Sequence, residues 1–159
     1  MIIILKLKLR SKLIMEMNFI KDLSKSVSVT YRRTQMFYTE KLKELGISSG
    51  QYMFIVCICE NIGQTQDELS QRLIIDKSTV AKIVSQLETK GFITKNVNPK
   101  DRRAFSIFPT DKAVAIYPEI LKIKNEWHNK MTENFSDIER DVFEKLMVKV
   151  MENSINNCQ

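Results

Sequence analysis

The 159-residue sequence predicts a mainly α-helical protein that carries one small β-hairpin. Three observations lead to that fold class. Two short helical patterns follow each other over 65–90, two strand-like runs after Gly91 flank a basic turn, and long helical apolar periods lie on either side of this stretch. Two helices closed by a hairpin read as a winged helix-turn-helix head, placed here at 46–110. The flanking periods at 17–45 and 111–155 read as an α-helical dimerisation module, and 1–16 as a disordered N-terminal extension.

Within the head, Thr65 stands three residues before Glu68, the spacing of a capping box. Leu69 and Leu73 give the first helix an inward face. Asp76 then suits the N-cap of a second helix, where its charge also meets the positive end of the helix dipole. Gly91 can take the left-handed conformation that ends that helix. At 100° per residue, Val80, Ile83, Val84 and Leu87 fall on one side, and Ser78, Lys82 and Ser85 lie roughly opposite. That second face is small, polar and cationic, which fits a major groove because Ser reads base edges and Lys reaches phosphate or guanine. It also fits any solvated amphipathic helix.

The hairpin adds weight to the first alternative. Phe92 to Lys95 and Ala104 to Phe108 alternate as strands, and Asn98-Pro99-Lys100-Asp101-Arg102-Arg103 between them holds turn formers and three cations. An arginine on such a tip suits the narrow minor groove, where negative potential is focused, and Asp101 can hold it by a charge-assisted hydrogen bond.

The run Ile75-Asp76-Lys77-Ser78-Thr79-Val80, then Leu87-Glu88-Thr89-Lys90-Gly91-Phe92-Ile93, Asp101-Arg102-Arg103-Ala104 and Pro109-Thr110-Asp111-Lys112-Ala113, resembles the MarR family of bacterial transcriptional regulators. The resemblance extends over about 17–153 in layout, and its specific part is 65–113. Pro109 departs from the family, which often has Leu there, at a point where the strand is ending. The resemblance implies a homodimeric, cytoplasmic regulator bound to a palindromic operator in double-stranded DNA, most simply a repressor released by a small-molecule effector. It implies no enzyme activity, no cofactor and no membrane partner. The expected DNA-contacting residues are Lys77, Ser78, Thr79, Lys82 and Ser85 on the helix and Lys100, Asp101, Arg102 and Arg103 on the hairpin tip. The resemblance assigns the minor-groove role to Arg103, with Asp101 orienting it. Two alternatives stand beside this reading: a thiol-based redox repressor, and a winged-helix protein-interaction module that does not read DNA.

Composition agrees with a polyanionic partner. The net charge of +6 is uneven, with eight cations against five acids over 65–110 and seven against nine over 111–159. Residues 1–14 add four cations and no acid, but they lack the features of a secretory signal, and their cations interrupt any membrane span. They are expected to be dispensable.

Apolar residues recur from Ile20 through Leu23, Val27, Tyr31 and Leu42 to Leu45, predicting one long helix closed by Gly46. Ser48 or Ser49 is expected to cap the next helix, whose apolar residues from Tyr52 to Ile62 surround it almost completely. Cys57 and Cys59 point about 200° apart on that helix, so they cannot chelate one metal and are expected to pack. With Cys158 they make no disulfide framework. Helices are also expected over 111–134, interrupted by Pro118 with an expected kink, and over 137–155, where Ser136 and Glu139 form a second capping box. The single histidine, His128, has no catalytic constellation around it in sequence, and one His with three scattered Cys lacks the spacing of a zinc ligand set.

Overall fold

The computed structural model describes residues 22–99 and 101–157. The N-terminal extension, Lys100 and Cys158 lie outside the described residues. Among the described residues the order of elements is four helices, a hairpin and two further helices, so the mainly α fold with a β wing is as the sequence predicts.

Helix α1, Leu23–Leu42, starts where the Asp22 carboxylate accepts from the Lys25 N–H, and the chain leaves it through Gly46 at φ +73°. Its apolar period is buried only near its end, at Tyr38 and Leu42. Tyr38 stacks on Tyr52 with ring centroids 4.3 Å apart, and burial raises both phenols above their ordinary range. Helix α2, Tyr52–Glu60, departs from expectation at both ends. Its N-cap residue is Gln51 rather than Ser48 or Ser49, because 48–51 close a turn in which the Gln51 N–H donates to the Ser48 carbonyl. The helix stops at Glu60, which leaves Ile62 outside it and 66% exposed. The centre is nevertheless core: Phe54, Ile55 and Ile58 are fully buried.

Helices α3, Gln66–Leu73, and α4, Lys77–Thr89, form the helix-turn-helix. The Thr65–Glu68 capping box is made in both directions, and the Asp76 carboxylate accepts from the Thr79 N–H. Strands β1, Ile93–Val97, and β2, Phe105–Pro109, pair antiparallel with Ile93 opposite Pro109 and Val97 opposite Phe105. Pro109 therefore sits at the last register position, where a missing N–H is tolerated. The hairpin is locked to the head where the Ile107 N–H donates to the Gln64 carbonyl and the Ile107 carbonyl accepts from the Gly63 N–H. Leu69, Val80, Val84, Leu87, Phe92 and Ile107 are each at most 1% exposed and join the α2 residues in one apolar core.

The chain divides into two compact units, and the division falls between Ile120 and Leu121, inside helix α5, Asp111–Met131. That helix continues through Pro118. Helix α6, Asp137–Asn157, opens with the expected capping box between Ser136 and Glu139. In the second unit His128 Nε2 lies 3.2 Å from a Glu144 carboxylate oxygen, and Phe135 meets Phe143 edge to face. No residue of α6 is buried. Among the described residues no helix is long and apolar enough to cross a membrane.

Candidate nucleic-acid interface

The site begins with the sidedness of α4. Val80, Val84 and Leu87 recur on the face pressed into the core and have no exposed surface, so the opposite face must meet solvent. Lys82 and Ser85 lie on that outer face and are exposed, as are Lys77 and Ser78 in the first turn, while Thr79 is half-buried. Four of the five expected helix residues are thus open to solvent, in two sets, one in the first turn and one further along the outer face. They are not chemically equivalent, however. The Ser78 hydroxyl bonds to the Asp76 carboxylate, and Lys77 Nζ lies 2.9 Å from Asp67 on α3. The Ser78 hydroxyl and the Thr79 N–H together hold the Asp76 carboxyl down at about 2 against an ordinary 3.8. First-turn side chains are partly committed to shaping the turn, whereas Lys82 and Ser85 are carried by regular helix beyond it.

The wing tip is built by its own hydrogen bonds. Asn98 Oδ1 accepts from the Asp101 N–H, and the Asn98 N–H donates to the Ala104 carbonyl, which closes the turn. One Asp101 carboxylate oxygen accepts from the Arg103 backbone N–H at 3.0 Å and from Arg103 Nε at 3.3 Å. The guanidinium is therefore tethered at its base while 92% of the side chain stays exposed. Arg102 is exposed beside it, and Lys100 falls outside the described residues. A cleft of about 250 Å³ runs between Arg103, Ala104 and Phe105 on the wing and Thr65, Gln66 and Asp67 at the start of α3.

Set against known proteins, residues 47–105 match the model of the MarR family, a span that takes in α2, the helix-turn-helix and the wing tip. The HTH-type transcriptional regulator BilQ of Clostridioides difficile is 34% identical over 103 residues, covering 64% of this chain and 70% of that one. The chain belongs to the MarR family. Among solved MarR structures, the MarR protein from Peptoclostridium difficile aligns at 32% identity with a TM-score of 0.82, covering 86% of this chain and 89% of the other. A MarR family regulator from Listeria monocytogenes, solved in complex with 26mer DNA, aligns at 29% identity and a TM-score of 0.80, covering 86% and 91%. This MarR protein is a winged helix-turn-helix transcriptional regulator.

Sequence reasoning missed four residues that shape the interface. Asp67 holds Lys77, while Gln51, Gln86 and Lys90 converge on the far end of α4. Asp67 and Lys77 are ten positions apart on consecutive helices, a spacing that the turn geometry decides. Gln51 is separated from its partners by 35 and 39 residues, and no local pattern announces such a contact.

Proposed function

We propose that this MarR regulator acts in the cytoplasm as a homodimer on a palindromic operator in double-stranded DNA, as a repressor that a small-molecule effector releases. In this reading α4 enters the major groove. Lys82 and Ser85 meet base edges, Lys77 and the first-turn hydroxyls of Ser78 and Thr79 meet phosphates or the nearest base, and Arg103 enters the minor groove under the hold of Asp101. Arg102 and Lys100 add backbone charge at the tip. The observation that carries the reading is the combination of a small, cationic, exposed helix face with an arginine tethered at its base and 92% exposed on the adjacent wing. A relative of the same fold in complex with 26mer DNA supports it.

The dimer rests on the second unit. Ile138, Val142, Leu146 and Val150 recur every fourth residue along α6 and are 41 to 78% exposed. Four large apolar side chains in one row call for a cover, and a two-fold copy supplies it, which brings two heads into one molecule as a palindrome requires. Effector release rests on family membership. Oxidant sensing has less support: the Cys57 thiol is buried and donates to the Gln64 side-chain oxygen, and burial followed by the nearby Glu60 charge raises the Cys59 thiol, away from the reactive thiolate.

The test is a titration of labelled duplexes, one from upstream of the protein's own coding region and one scrambled, at several salt concentrations. Preference for one duplex by about a thousandfold, with steep salt dependence, is the expected result. Equal weak affinity for both at every salt would overturn the reading.

A further inference from the structure

The first turn of α4 is tied down by Asp76, but its other end is held by a polar network that none of the roles above uses. Gln51, at the corner between α1 and α2, is only 3% exposed, and its amide is engaged at both ends. Its Oε1 accepts from the Ser48 N–H at 3.1 Å and from Lys90 Nζ at 3.0 Å, and its Nε2 donates to Gln86 Oε1 at 3.0 Å. Lys90 also donates to the Gly46 carbonyl at 2.9 Å. Lys112, in the first turn of α5, donates to the Lys90 carbonyl at 2.7 Å and lies 4.2 Å from the centroid of the Phe92 ring. Two lysines thus bind carbonyls in series, Lys112 at the C-terminal end of α4, where it meets the negative end of the helix dipole, and Lys90 in the turn that follows α1.

A helix seated only on Val80, Val84 and Leu87 is held by forces that have no direction, so it keeps some freedom to roll. Hydrogen bonds are directional, and a buried amide left unmatched is costly, which makes the Gln51 cluster able to fix the roll at this end of α4, beside the Glu88–Lys95 ion pair on the wing side. Gln86 is one turn beyond Lys82 and next to Ser85, so whatever fixes Gln86 fixes them too. We propose that Gln51, acting through Gln86 and Lys90, is a positioning residue for sequence reading: it sets the roll of α4 and so the direction in which Lys82 and Ser85 meet the bases. The inference rests on the DNA-reading function proposed above. It separates two properties that a general structural prop would move together. Base-edge contacts need an accurately aimed helix, whereas phosphate contacts made by long cationic side chains tolerate a small rotation.

The experiment uses the full chain, a duplex selected from a random pool by the wild-type protein, and a scrambled duplex of the same length. Gln86→Ala removes the exposed arm of the cluster without opening a core cavity. Gln51→Leu removes its centre, and Gln51→Glu keeps an acceptor for Ser48 and Lys90 while Gln86 can turn its amide to donate. Gln86→Ala and Gln51→Leu are expected to lower the ratio of selected to scrambled affinity by about tenfold. Affinity for the scrambled duplex and the salt slope should stay at wild-type values, and Gln51→Glu should recover most of the ratio. If Gln51→Leu proves too unstable to assay, Gln86→Ala alone decides. A Gln86→Ala ratio within about twofold of wild type would overturn the inference, as would equal losses on both duplexes accompanied by a lower melting temperature. A wild-type protein that enriches no duplex removes the functional reading and this inference together, whereas variants that discriminate as well as the wild type remove this inference alone.

Discussion

Helices α4 and α6 carry nearly the same apolar period, and only one of them buries it. In α4 the residues at 80, 84 and 87 have no exposed surface, because α3 and the wing close over them. In α6 the residues at 138, 142, 146 and 150 are all exposed, and the helix has no buried residue. Periodicity therefore reports that a face wants cover, not where the cover comes from. In the head the chain supplies its own cover. For α6 the proposed cover is a second copy, and the two cases respond differently to substitution.

The largest effect is expected in the head. Leu87→Ala leaves a cavity in a fully buried site, and such cavities cost about 2–5 kcal/mol because the surroundings collapse only partly. Chemical denaturation should show that loss, and it should not depend on protein concentration. A loss under about 1 kcal/mol would mean that the α4 face is less tightly covered than its burial suggests. Leu146→Asp provides the opposite pattern. At 52% exposure it opens no core cavity, yet it places a charge in the proposed seam. Sedimentation should then show dimer dissociation strengthened by at least about tenfold, or about 1.4 kcal/mol, with the far-ultraviolet spectrum unchanged. A variant that stays dimeric at wild-type concentrations would break the comparison, since α6 would then be a solvated face after all.

The contrast also explains what was legible beforehand. Both capping boxes, the Asp76 cap, Gly91 after α4 and the hairpin with its basic turn depend on residues within a few positions of each other, and all of them form. Interactions set by tertiary approach were not legible. Ser48 and Ser49 look like good caps, but the turn before α2 is closed through Gln51, whose side chain is wanted by Gln86 and Lys90. Ile62 continues an apolar run in sequence, yet the helix has ended two residues earlier and the side chain projects into solvent. For the candidate site, which face of α4 points outward could be read from spacing. That Lys77 is paired with Asp67 depended on how the turn between α3 and α4 closes.

A third effect lies on the surface of the head, where no cover is at stake. Arg103→Ala should leave stability almost untouched, since the side chain is 92% exposed and its ion pair with Asp101 belongs to a class worth under about 1 kcal/mol. It should weaken binding to many sequences and reduce the salt slope by about one unit. Asp101→Ala should act in the same direction more mildly, because the arginine remains but loses its tether. Unchanged affinity and slope in Arg103→Ala would take the wing out of the mechanism and leave α4 alone.

A smaller effect comes from acid. The folded Asp76 carboxyl sits at about 2, below its ordinary 3.8, so its contribution is complete above pH 4. As pH falls through about 2 the carboxylate is protonated, its bonds to Ser78 and Thr79 weaken, and the contribution is lost. Asp76→Asn keeps an acceptor for the cap but has no charge to lose, so its stability should fall less steeply between pH 4 and pH 2. Parallel acid curves for the two proteins would show that the cap does not sense pH. Glu139 at the start of α6 is lowered in the same sense by Ser136, which makes Glu139→Gln the matching control in the other region.

The smallest effect sharpens the comparison at the turn between α3 and α4. Ile74 ends α3 at φ +55°, ψ +49°, the one non-glycine residue with positive φ among the described residues. The left-handed conformation costs an L-residue about 1–2 kcal/mol, and a β-branched side chain is a poor occupant of it. The turn holds because its neighbours over-determine it: the Ile75 N–H donates to the Ser70 carbonyl, and the Ser70 hydroxyl donates to the Ile75 carbonyl. Ile74 is 57% exposed, so its burial offsets little of the strain. Glycine relieves that strain but gives back about 0.5–1 kcal/mol in unfolded-chain entropy. Ile74→Gly is therefore expected to stabilise the protein by about 0.5 kcal/mol, the difference between the lower ends of those two ranges. Ile74→Ala retains the Cβ clash and should gain nothing. Urea titrations of the three proteins give the answer, and a loss of stability in Ile74→Gly would mean that the covered part of Ile74 makes apolar packing at the entrance to α4 that outweighs the backbone strain.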